Sequence, residues 1–263
     1  MIPFIINWRA AVRSAVLVGG GDIPGVDIAT VTGANKRPYV PATSWKGRLR
    51  HTCEAIANAL GMLTCTAPDA AEMCPSCWLQ RGGGAQVLEF SYAGRDYGPT
   101  CPVCRIFGSP WWPSPIRLTD LTFVRHQEGL TRTVDPTLRW QVSISRQTRS
   151  ASAGRLFVAQ VASPAGGPGT IEAAGSITGA VPEEDLLGLL VAGLLSLETL
   201  GHARSRGLGW LGPPIIELKV RAKNGEATEE MKTIEDPAAY AEEKLRLLVQ
   251  RYKPHAAHVP DSG

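Results

Sequence analysis

The sequence predicts an α+β fold, and three observations support this prediction. Segments that alternate apolar and polar residues, typical of strands, are interspersed with segments whose apolar residues recur at helical spacing. Hydrophobic residues make up 44% of the chain and charged residues 19%, as in a globular protein. The length of 263 residues suits one large domain, and we predict a single domain over residues 1–263.

The first part of the chain is predicted to contain a strand, a helix and an insertion. Residues 4–18 alternate and lead into a glycine-rich loop. Residues 43–61 are predicted to form a helix that Thr43 or Ser44 can cap. Residues 62–108 are small, polar and rich in glycine and cysteine, which predicts an insertion with little core of its own.

The second part is predicted to contain several strands and two helices. The predicted strands are 116–124, 140–148, 155–163, 171–181 and one around IIELKV. The predicted helices are 183–200, with an acidic first turn, and one near 236–252. The order of a strand, a helix, several strands, a helix and a strand fits an elaborated ferredoxin-like core.

Charge and hydropathy narrow the function classes only a little. The formal net charge of +3 and the pI near 8.6 are too mild a basic bias to identify a partner. The start of the chain, MIPFIINWRAAVRSAV, is interrupted by Arg9 and Arg13 and lacks a secretory apolar region. The longest apolar run, LLGLLVAGLLSLETL, is shorter than the roughly 20 residues that span a bilayer. We therefore expect a soluble, intracellular protein that does not contact membranes.

The cysteines favour metal binding or buried thiols over disulfides, because no signal peptide precedes them. CPSC at 74–77 and CPVC at 101–104 are two CxxC pairs with 23 residues between them. Four thiolates at this spacing can close tetrahedrally on Zn²⁺, and a closed site of this kind is structural. The predicted zinc ligands are Cys74, Cys77, Cys101 and Cys104. The alternatives are two buried pairs or a redox pair. Cys53 is predicted to lie in the core, and Cys65 has no assignment.

Three separate segments are basic although the net charge is small. They are the predicted helix at 43–61, the glycine-rich segment HARSRGLGW and the segment SISRQTRSASAGR. Such clustering predicts a nucleic-acid surface, since lysine and arginine neutralise phosphates; the alternative is a set of solvated charged faces. The candidate RNA-binding residues from these clusters are Lys46, Arg48, Arg50, Arg146, Arg149 and Arg206.

Two loops are also candidates for function. The first, VGGGDIPGVDIATVTG at 18–33, has consecutive glycines that permit close approach of another backbone, and Asp22 is expected to form a turn. The second, residues 123–140, is longer than a hairpin turn requires. We predict that it projects and that its apolar tip contacts bases, with a disordered loop as the alternative.

Together these segments resemble the RAMP superfamily, and specifically the backbone subunit of type III CRISPR interference complexes. The matching segments are YVPATSWKGRLR at 39–50, CPVCRIFGSP at 101–110, SISRQTRSASAGRLFVAQV at 143–161 and HARSRGLGWL at 202–211. They occur in order over about residues 4–220. The sequence departs from the family pattern at Ala42, usually glycine, and at Trp45, commonly aliphatic.

The resemblance implies an RRM-like core, a zinc-stabilised insertion at 62–108 and a thumb at 123–140. Several copies would stack along a CRISPR guide RNA in a prokaryotic cytoplasm, together with other type III subunits. Single-stranded target RNA would pair with the exposed guide, so that base pairing reads the sequence. By resemblance, the residues that line the guide are Lys46, Arg48, Arg50, Ser205 and Arg206.

In catalytic members of the family, an aspartate in the loop after the first strand cleaves the target RNA. The segment GVDI places this residue at Asp27, with an Asx turn as the structural alternative. Asp22 is its nearest rival, and His51 and His202 are further candidates, although a lone histidine is more often structural. Because RNA carries its own 2′-hydroxyl nucleophile, one carboxylate can suffice, either by accepting the proton or by holding Mg²⁺ or another divalent cation. The other candidate functions are an inactive guide-binding scaffold, a histidine-dependent guide-maturation endoribonuclease and a free-standing zinc-ribbon RNA binder.

Overall fold

The computed structural model describes residues 1–20, 22–80, 88–127, 130–164, 170–221 and 231–252. The strands of the larger sheet are β1 (Ile2–Val12), β2 (Tyr39–Val40), β5 (Ile116–Leu118), β6 (Leu121–Gln127), β7 (Leu130–Thr133), β10 (Thr170–Val181), β11 (Leu211–Arg221) and β12 (Met231–Ile234). Two hairpins stand apart, β3 (Glu89–Tyr92) with β4 (Arg95–Pro99) and β8 (Pro136–Ile144) with β9 (Ala151–Ala162). The helices are α1 (Ala42–Ala59), α2 (Ser76–Gln80), α3 (Pro102–Phe107), α4 (Asp185–Leu195) and α5 (Pro237–Tyr252).

The larger sheet is antiparallel, and β1 lies near its centre. The strand order is β12-β11-β1-β10-β6-β2, while β5 also pairs with β10 and β7 with β6. Phe4, Ile6 and Trp8 on β1 are buried, and the residues between them face outward. This alternation buries one face of the sheet in the core. The chain is therefore a mixed α+β protein, as the sequence predicts.

Three helices pack around the buried face of the sheet and share one hydrophobic core with it. Cys53 of α1 is fully buried in this core, as predicted. A Cβ atom added at Gly193 of α4 would lie 2.4 Å from Cys53 Sγ, so glycine permits the close approach of α1 and α4. Among the described residues, no helix combines the length and apolar character needed to cross a bilayer.

Helix α1 is capped from a distant part of the chain. Its N-cap residue is Pro41, and no side chain next to it supplies the cap, so the predicted capping by Thr43 or Ser44 is wrong. Instead, Asp120 Oδ1 accepts a 2.7 Å hydrogen bond from the backbone N–H of Ala42. Thr43 and Ser44 lie inside the helix, after the N-cap position from which a side chain can accept a hydrogen bond from the free N–H groups of the first turn.

Replacing Asp120 with alanine should therefore destabilise α1 and the fold around it. We expect the free energy of unfolding to fall by about 1 kcal/mol, the usual cost of losing a capping acceptor. Asp120→Asn keeps an acceptor oxygen and should cost less, although it loses the favourable interaction of a negative charge with the helix dipole. Urea unfolding of the two variants measures both values, and an equal or larger loss in Asp120→Asn would contradict this assignment.

The segment 123–140, predicted to be a projecting loop, is mostly strand where the structure describes it; residues 128 and 129 lie outside the described residues. β6 continues to Gln127 because β10 pairs with it on one side and β7 on the other. Phe123 and Arg125 face inward on β6, and Arg125 donates to the backbone carbonyls at 163 and 164. The element that extends from the domain is the β8–β9 hairpin, whose pairing runs from Pro136↔Ala162 outward.

The insertion at 62–108 contributes to the main core. Buried residues from this segment belong to the same hydrophobic cluster as the sheet and α4; they include Met62, Met73, Trp78, Val103 and Ile106. Because these apolar side chains are buried in the main core, the hydrophobic effect stabilises the position of the residues around them.

Candidate metal centre and nucleic-acid interface

Four buried cysteine sulfurs form a compact group inside the insertion. They belong to Cys65, Cys74, Cys101 and Cys104 and all lie within 4.8 Å of one another. Sγ of Cys65 is 3.3 Å from Sγ of Cys104 and 3.8 Å from Sγ of Cys101. Sulfurs bound tetrahedrally to zinc at about 2.3 Å stand about 3.8 Å apart, so the group has the size of a zinc site.

Several hydrogen-bond donors surround these sulfurs. Cys74 Sγ accepts hydrogen bonds from Trp78 Nε1 at 3.0 Å and from the Cys101 backbone N–H at 3.3 Å. Cys104 Sγ accepts one from Arg50 Nη2, also at 3.3 Å. Hydrogen bonds with the neighbouring thiols, first that of Cys104, hold the pKa of Cys101 well below its ordinary value, whereas hydrogen bonds with Cys101 are the first cause that raises the pKa values of Cys74 and Cys104. Such donors orient metal ligands and stabilise their charge, so the four cysteines could hold a metal such as zinc.

The group differs from the predicted ligand set in one member, since it contains Cys65 and not Cys77. The chain after α1 folds back, with the Thr66 N–H bonded to the Glu72 carbonyl, and this brings Cys65 to the other three sulfurs. Cys77 is also buried, in the first turn of α2, but it lies outside the four-sulfur group. CxxC spacing identifies cysteines that are close along the chain. It cannot identify a cysteine such as Cys65, which only tertiary folding brings to the group.

A cavity of about 490 Å³ lies between the start of α1 and the segment after α4; we call it the basic basin. Its polar and charged lining residues are Ser44, Arg48, His51, His202 and Arg204. Arg48 donates from Nε to the Thr199 carbonyl at 3.4 Å and from Nη2 to Thr199 Oγ1 at 3.3 Å. Burial lowers the pKa of Arg48, and the nearby Arg204 guanidinium lowers it further. An anion between the two guanidiniums would relieve this repulsion.

Two glycines allow close backbone approaches at the ends of the 201–208 loop. Gly201 has a φ of +81°, and a Cβ there would come within 2.3 Å of the Leu17 carbonyl oxygen. Gly209 has a φ of +77°, and a Cβ there would lie 1.8 Å from the Leu200 carbonyl oxygen. The His202 N–H bonds to the Leu17 carbonyl at 2.6 Å. The glycine-rich sequence therefore fixes the wall of the basic basin.

Two of the predicted RNA-binding residues are engaged within the protein, Arg50 by the insertion and Lys46 by the segment that follows it. Lys46 Nζ donates to Ser114 Oγ at 2.6 Å, and burial, followed by repulsion from Arg50, lowers its pKa. Arg50 donates from Nε to Glu54 and from Nη1 to the Gly108 carbonyl, both at 2.9 Å, besides its bond to the cysteine group. Of the three basic residues predicted on α1, the structure brings Arg48 to the basic basin.

Asp27 attaches the glycine-rich loop at 18–33, which we call the opening loop, to the β8–β9 hairpin. Asp27 N–H donates to the Val158 carbonyl at 3.0 Å, and Asp27 Oδ2 accepts from the Val158 N–H at 2.7 Å. Asp27 is exposed, and no described residue donates a hydrogen bond to Oδ1. Asp22 is exposed as well, and no described residue is bonded to its side chain. Within the described parts of the chain, the four cysteines form the only group of three or more potential metal ligands, so neither aspartate belongs to a protein-made cation cage.

The outer part of the β8–β9 hairpin carries an exposed apolar stripe. Leu138, Trp140, Val142 and Ile144 alternate along β8 and so share one face, with exposed fractions from 47% to 66%. The turn beyond them contains Arg146 and Arg149, which are exposed and separate from the basic basin. Ser205 and Arg206 are exposed in the 201–208 loop, next to the basin residue Arg204.

Sequence reasoning did not assign several residues that the structure places at these sites. Cys65 carried no spacing signal, and its only hint was its position shortly before Cys74. His51, His202 and Arg204 had a signal, because they lie in the same two motifs as the predicted residues. Their joint position in one cavity follows from the packing of α1 against the segment after α4.

The fold and these sites define a class of protein: an α+β domain with a cysteine-held insertion, a glycine-rich loop and a basic cavity. The RAMP superfamily model matches residues 10–212, and the chain belongs to this superfamily. RAMP proteins are CRISPR-associated proteins that work in complexes with RNA. A comparison with curated proteins gives no match.

Proposed function

We propose that this protein is the guide-binding backbone subunit of a type III CRISPR complex. The observation that carries the proposal is the basic basin, where Arg48 of α1 meets His202 and Arg204 of the glycine-rich loop. Arginine and backbone N–H groups in a concave site suit RNA phosphates, which position a strand without reading its sequence. Several copies would line one guide in the prokaryotic cytoplasm, together with other subunits of the complex.

We infer that the core is ferredoxin-like and RRM-like. The succession β1, α1, β6, β10, α4, β11 is a β-α-β-β-α-β unit. Its four strands are adjacent in the order β11-β1-β10-β6 and pair antiparallel, which supports the inference.

The β8–β9 hairpin is the thumb in this proposal, in place of residues 123–140. Trp140 is 66% exposed and lies directly opposite Val158, the residue to which Asp27 is bonded. Adjacent strands are about 4.8 Å apart, so the Trp140 and Asp27 backbones stand about 10 Å apart across β9. An indole at this distance can stack on a base next to the linkage that Asp27 faces.

The proposed reaction is cleavage of target RNA beside that base. The 2′-hydroxyl oxygen attacks the adjacent phosphorus, its proton goes to the free Asp27 oxygen, and the 5′-oxygen leaves with a proton from water. The products carry a 2′,3′-cyclic phosphate and a 5′-hydroxyl. If Mg²⁺ or another divalent cation takes part, its remaining ligands would come from RNA phosphate and water, which would help to neutralise developing charge.

The alternative is a scaffold that binds guide RNA without cutting the target. One observation favours it: the Asp27 carboxylate already ties the opening loop to β9 through the Val158 N–H. A side chain with this bond could be structural alone.

The test compares Asp27→Asn with Asp22→Asn in the complex assembled with a guide and a matched, end-labelled RNA. Asparagine keeps an acceptor for the Val158 N–H but cannot accept the proton. We expect Asp27→Asn to slow cleavage by roughly 100-fold or more and Asp22→Asn to change it less than about twofold. Unchanged cutting by Asp27→Asn would overturn the catalytic assignment, and no cutting by the unsubstituted complex would favour the scaffold.

We also propose that the four-cysteine group holds a structural zinc ion. Four sulfurs leave no open position for water, so the ion would stabilise the insertion rather than catalyse a reaction. Cys65, Cys74, Cys101 and Cys104 are the proposed ligands.

A further inference from the structure

A second basic cavity lies at the base of the β8–β9 hairpin, on the other side of the 201–208 loop from the basic basin. It has a volume of about 520 Å³, and we call it the arginine groove. Its three charged lining residues come from separate elements: Arg13 follows β1, Arg139 lies on β8 and Arg206 lies in the glycine-rich loop. Chain segments that are distant in sequence therefore deliver three guanidinium groups to one concave site.

The arginine groove carries uncompensated positive charge. No aspartate or glutamate lines it, and none of its three arginines forms an ion pair with a described residue. Like charges held together are unfavourable unless an anion joins them. The rest of the lining suits an anion, since Gln141 offers amide N–H groups and Ser14, whose Oγ accepts from the Trp210 N–H, still has its O–H to donate.

The walls of the groove are fixed by contacts within the protein. Arg125, which is buried, donates to the backbone carbonyls of Ser163 and Pro164 on one side. On the other side the Arg13 N–H is bonded to the Trp210 carbonyl at 2.8 Å. The Arg206 guanidinium lies 5.9 Å from the centre of the Phe157 ring. The groove is therefore a preformed site, with its arginine side chains exposed at the surface.

We propose that the arginine groove binds backbone phosphates of the same RNA strand that occupies the basic basin. Arg204 lines the basin and Arg206 lines the groove, and the two belong to one 3₁₀ turn. Two residues of such a turn advance about 4 Å, so the two cavities share the loop as a common wall. A strand that leaves the basin over this loop enters the groove. This inference rests on the proposed function.

The groove does not contain the residue proposed to cleave the target, Asp27. It is lined by β8, whereas Asp27 is bonded to the opposite edge of β9. Two strand spacings, about 10 Å, separate the two edges. Because Asp27 does not line the groove, we assign the groove to phosphates of the guide, and its loss should weaken RNA binding more than it slows the cleavage of target that is already bound.

The test uses the double variant Arg13→Ala/Arg139→Ala and fluorescein-labelled oligouridines of about 4 and about 12 nucleotides, which span the usual range of single-strand sites. The matched control is Arg95→Ala/Arg117→Ala, which removes the same charge from exposed positions outside both cavities. We expect the groove variant to bind the longer RNA roughly tenfold more weakly. Its slope of log affinity against log salt should be smaller by about 1.4, or 0.7 for each lost phosphate contact. Binding of the shorter RNA should be unchanged.

The outcomes separate the groove from the proposed function. If the control variant and the groove variant bind the longer RNA equally well, or if the groove variant weakens short and long RNA alike, the continuous track is wrong while RNA binding stands. Arg48→Ala serves as the reference for the basin and should weaken both lengths. Failure of the unsubstituted protein to bind either RNA would overturn both the groove and the proposed function.

Discussion

Replacing Cys65 with alanine is expected to release the metal, whereas replacing Cys77 with alanine is expected to leave it bound. Both side chains are buried, with 8% and 2% exposed, so the two substitutions should cost a similar amount in packing, about 1 kcal/mol. Only Cys65 belongs to the group of four sulfurs within 4.8 Å. Loss of a structural metal is among the few single changes that destabilise a protein by more than about 4 kcal/mol.

Zinc content and thermal unfolding together measure this difference. Each variant is purified with zinc, dialysed against a weak chelator and analysed for metal per chain before it is melted. We expect about one zinc per chain in the unsubstituted protein and in Cys77→Ala, and much less in Cys65→Ala, which should also melt at the lowest temperature. The reverse pattern would restore Cys77 as the fourth ligand. If both variants kept as much zinc as the unsubstituted protein, the result would argue against the site.

The cysteines show which members of the four-sulfur group can be predicted from spacing in the sequence. Cys74, Cys101 and Cys104, three members of the four-sulfur group, are predicted from the sequence because CxxC pairs report local geometry, which the chain itself determines. Cys65 could not be identified, because its contact with Cys104 depends on how the segment after α1 turns back onto the core. The insertion itself was recognised from its composition, but its burial in the main core follows from tertiary packing.

The basic residues show a similar division between pattern and packing. The sequence predicted that the α1 and 201–208 motifs serve one surface, and the structure brings Arg48 and Arg204 to one cavity. It did not predict that Arg50 is turned toward Cys104, since a helix pattern places a residue on a face but does not name its partner. The α+β class, β1 and the main helices follow from hydrophobic periodicity. The sequence does not reveal the strands within 123–140, because the length of the segment between two predicted strands favours a loop although β6 itself alternates.

Replacing Arg105 with methionine is expected to destabilise the protein strongly, by more than the loss of the α1 cap at Asp120. Arg105 is only 2% exposed, and Nη1 donates to Glu183 Oε1 at 2.7 Å. Nε donates to the Thr100 carbonyl at 3.1 Å, and Nη2 donates to the carbonyls of Leu88 at 2.8 Å and of Glu89 at 3.1 Å. One side chain therefore joins the β3–β4 hairpin and α3 to the start of α4.

Methionine would fill much of the space but would remove the arginine donor from each of these acceptors, of which the Leu88 carbonyl keeps a hydrogen bond from the Thr100 N–H. Removing one partner of a buried ion pair typically costs about 3–5 kcal/mol, because the remaining polar groups stay buried. Glu183 keeps a second ion pair, because Arg251 Nη1 lies 3.2 Å from Glu183 Oε2, so the substitution does not leave the Glu183 carboxylate unpaired. We therefore expect the main loss to come from the three carbonyls and a free energy of unfolding lower by about 3 kcal/mol.

The control is Arg246→Met, which removes an exposed arginine that pairs with Glu242 one turn away on α5. Exposed pairs of this kind contribute about 0.3–0.5 kcal/mol, so the control should remain close to the unsubstituted protein. Urea unfolding in excess zinc keeps the metal group loaded, and the slope of the transition reports whether the folded state has loosened. Equal stability of Arg105→Met and Arg246→Met would show that the insertion is held by its cysteines and apolar contacts, and that the buried arginine adds no net stability.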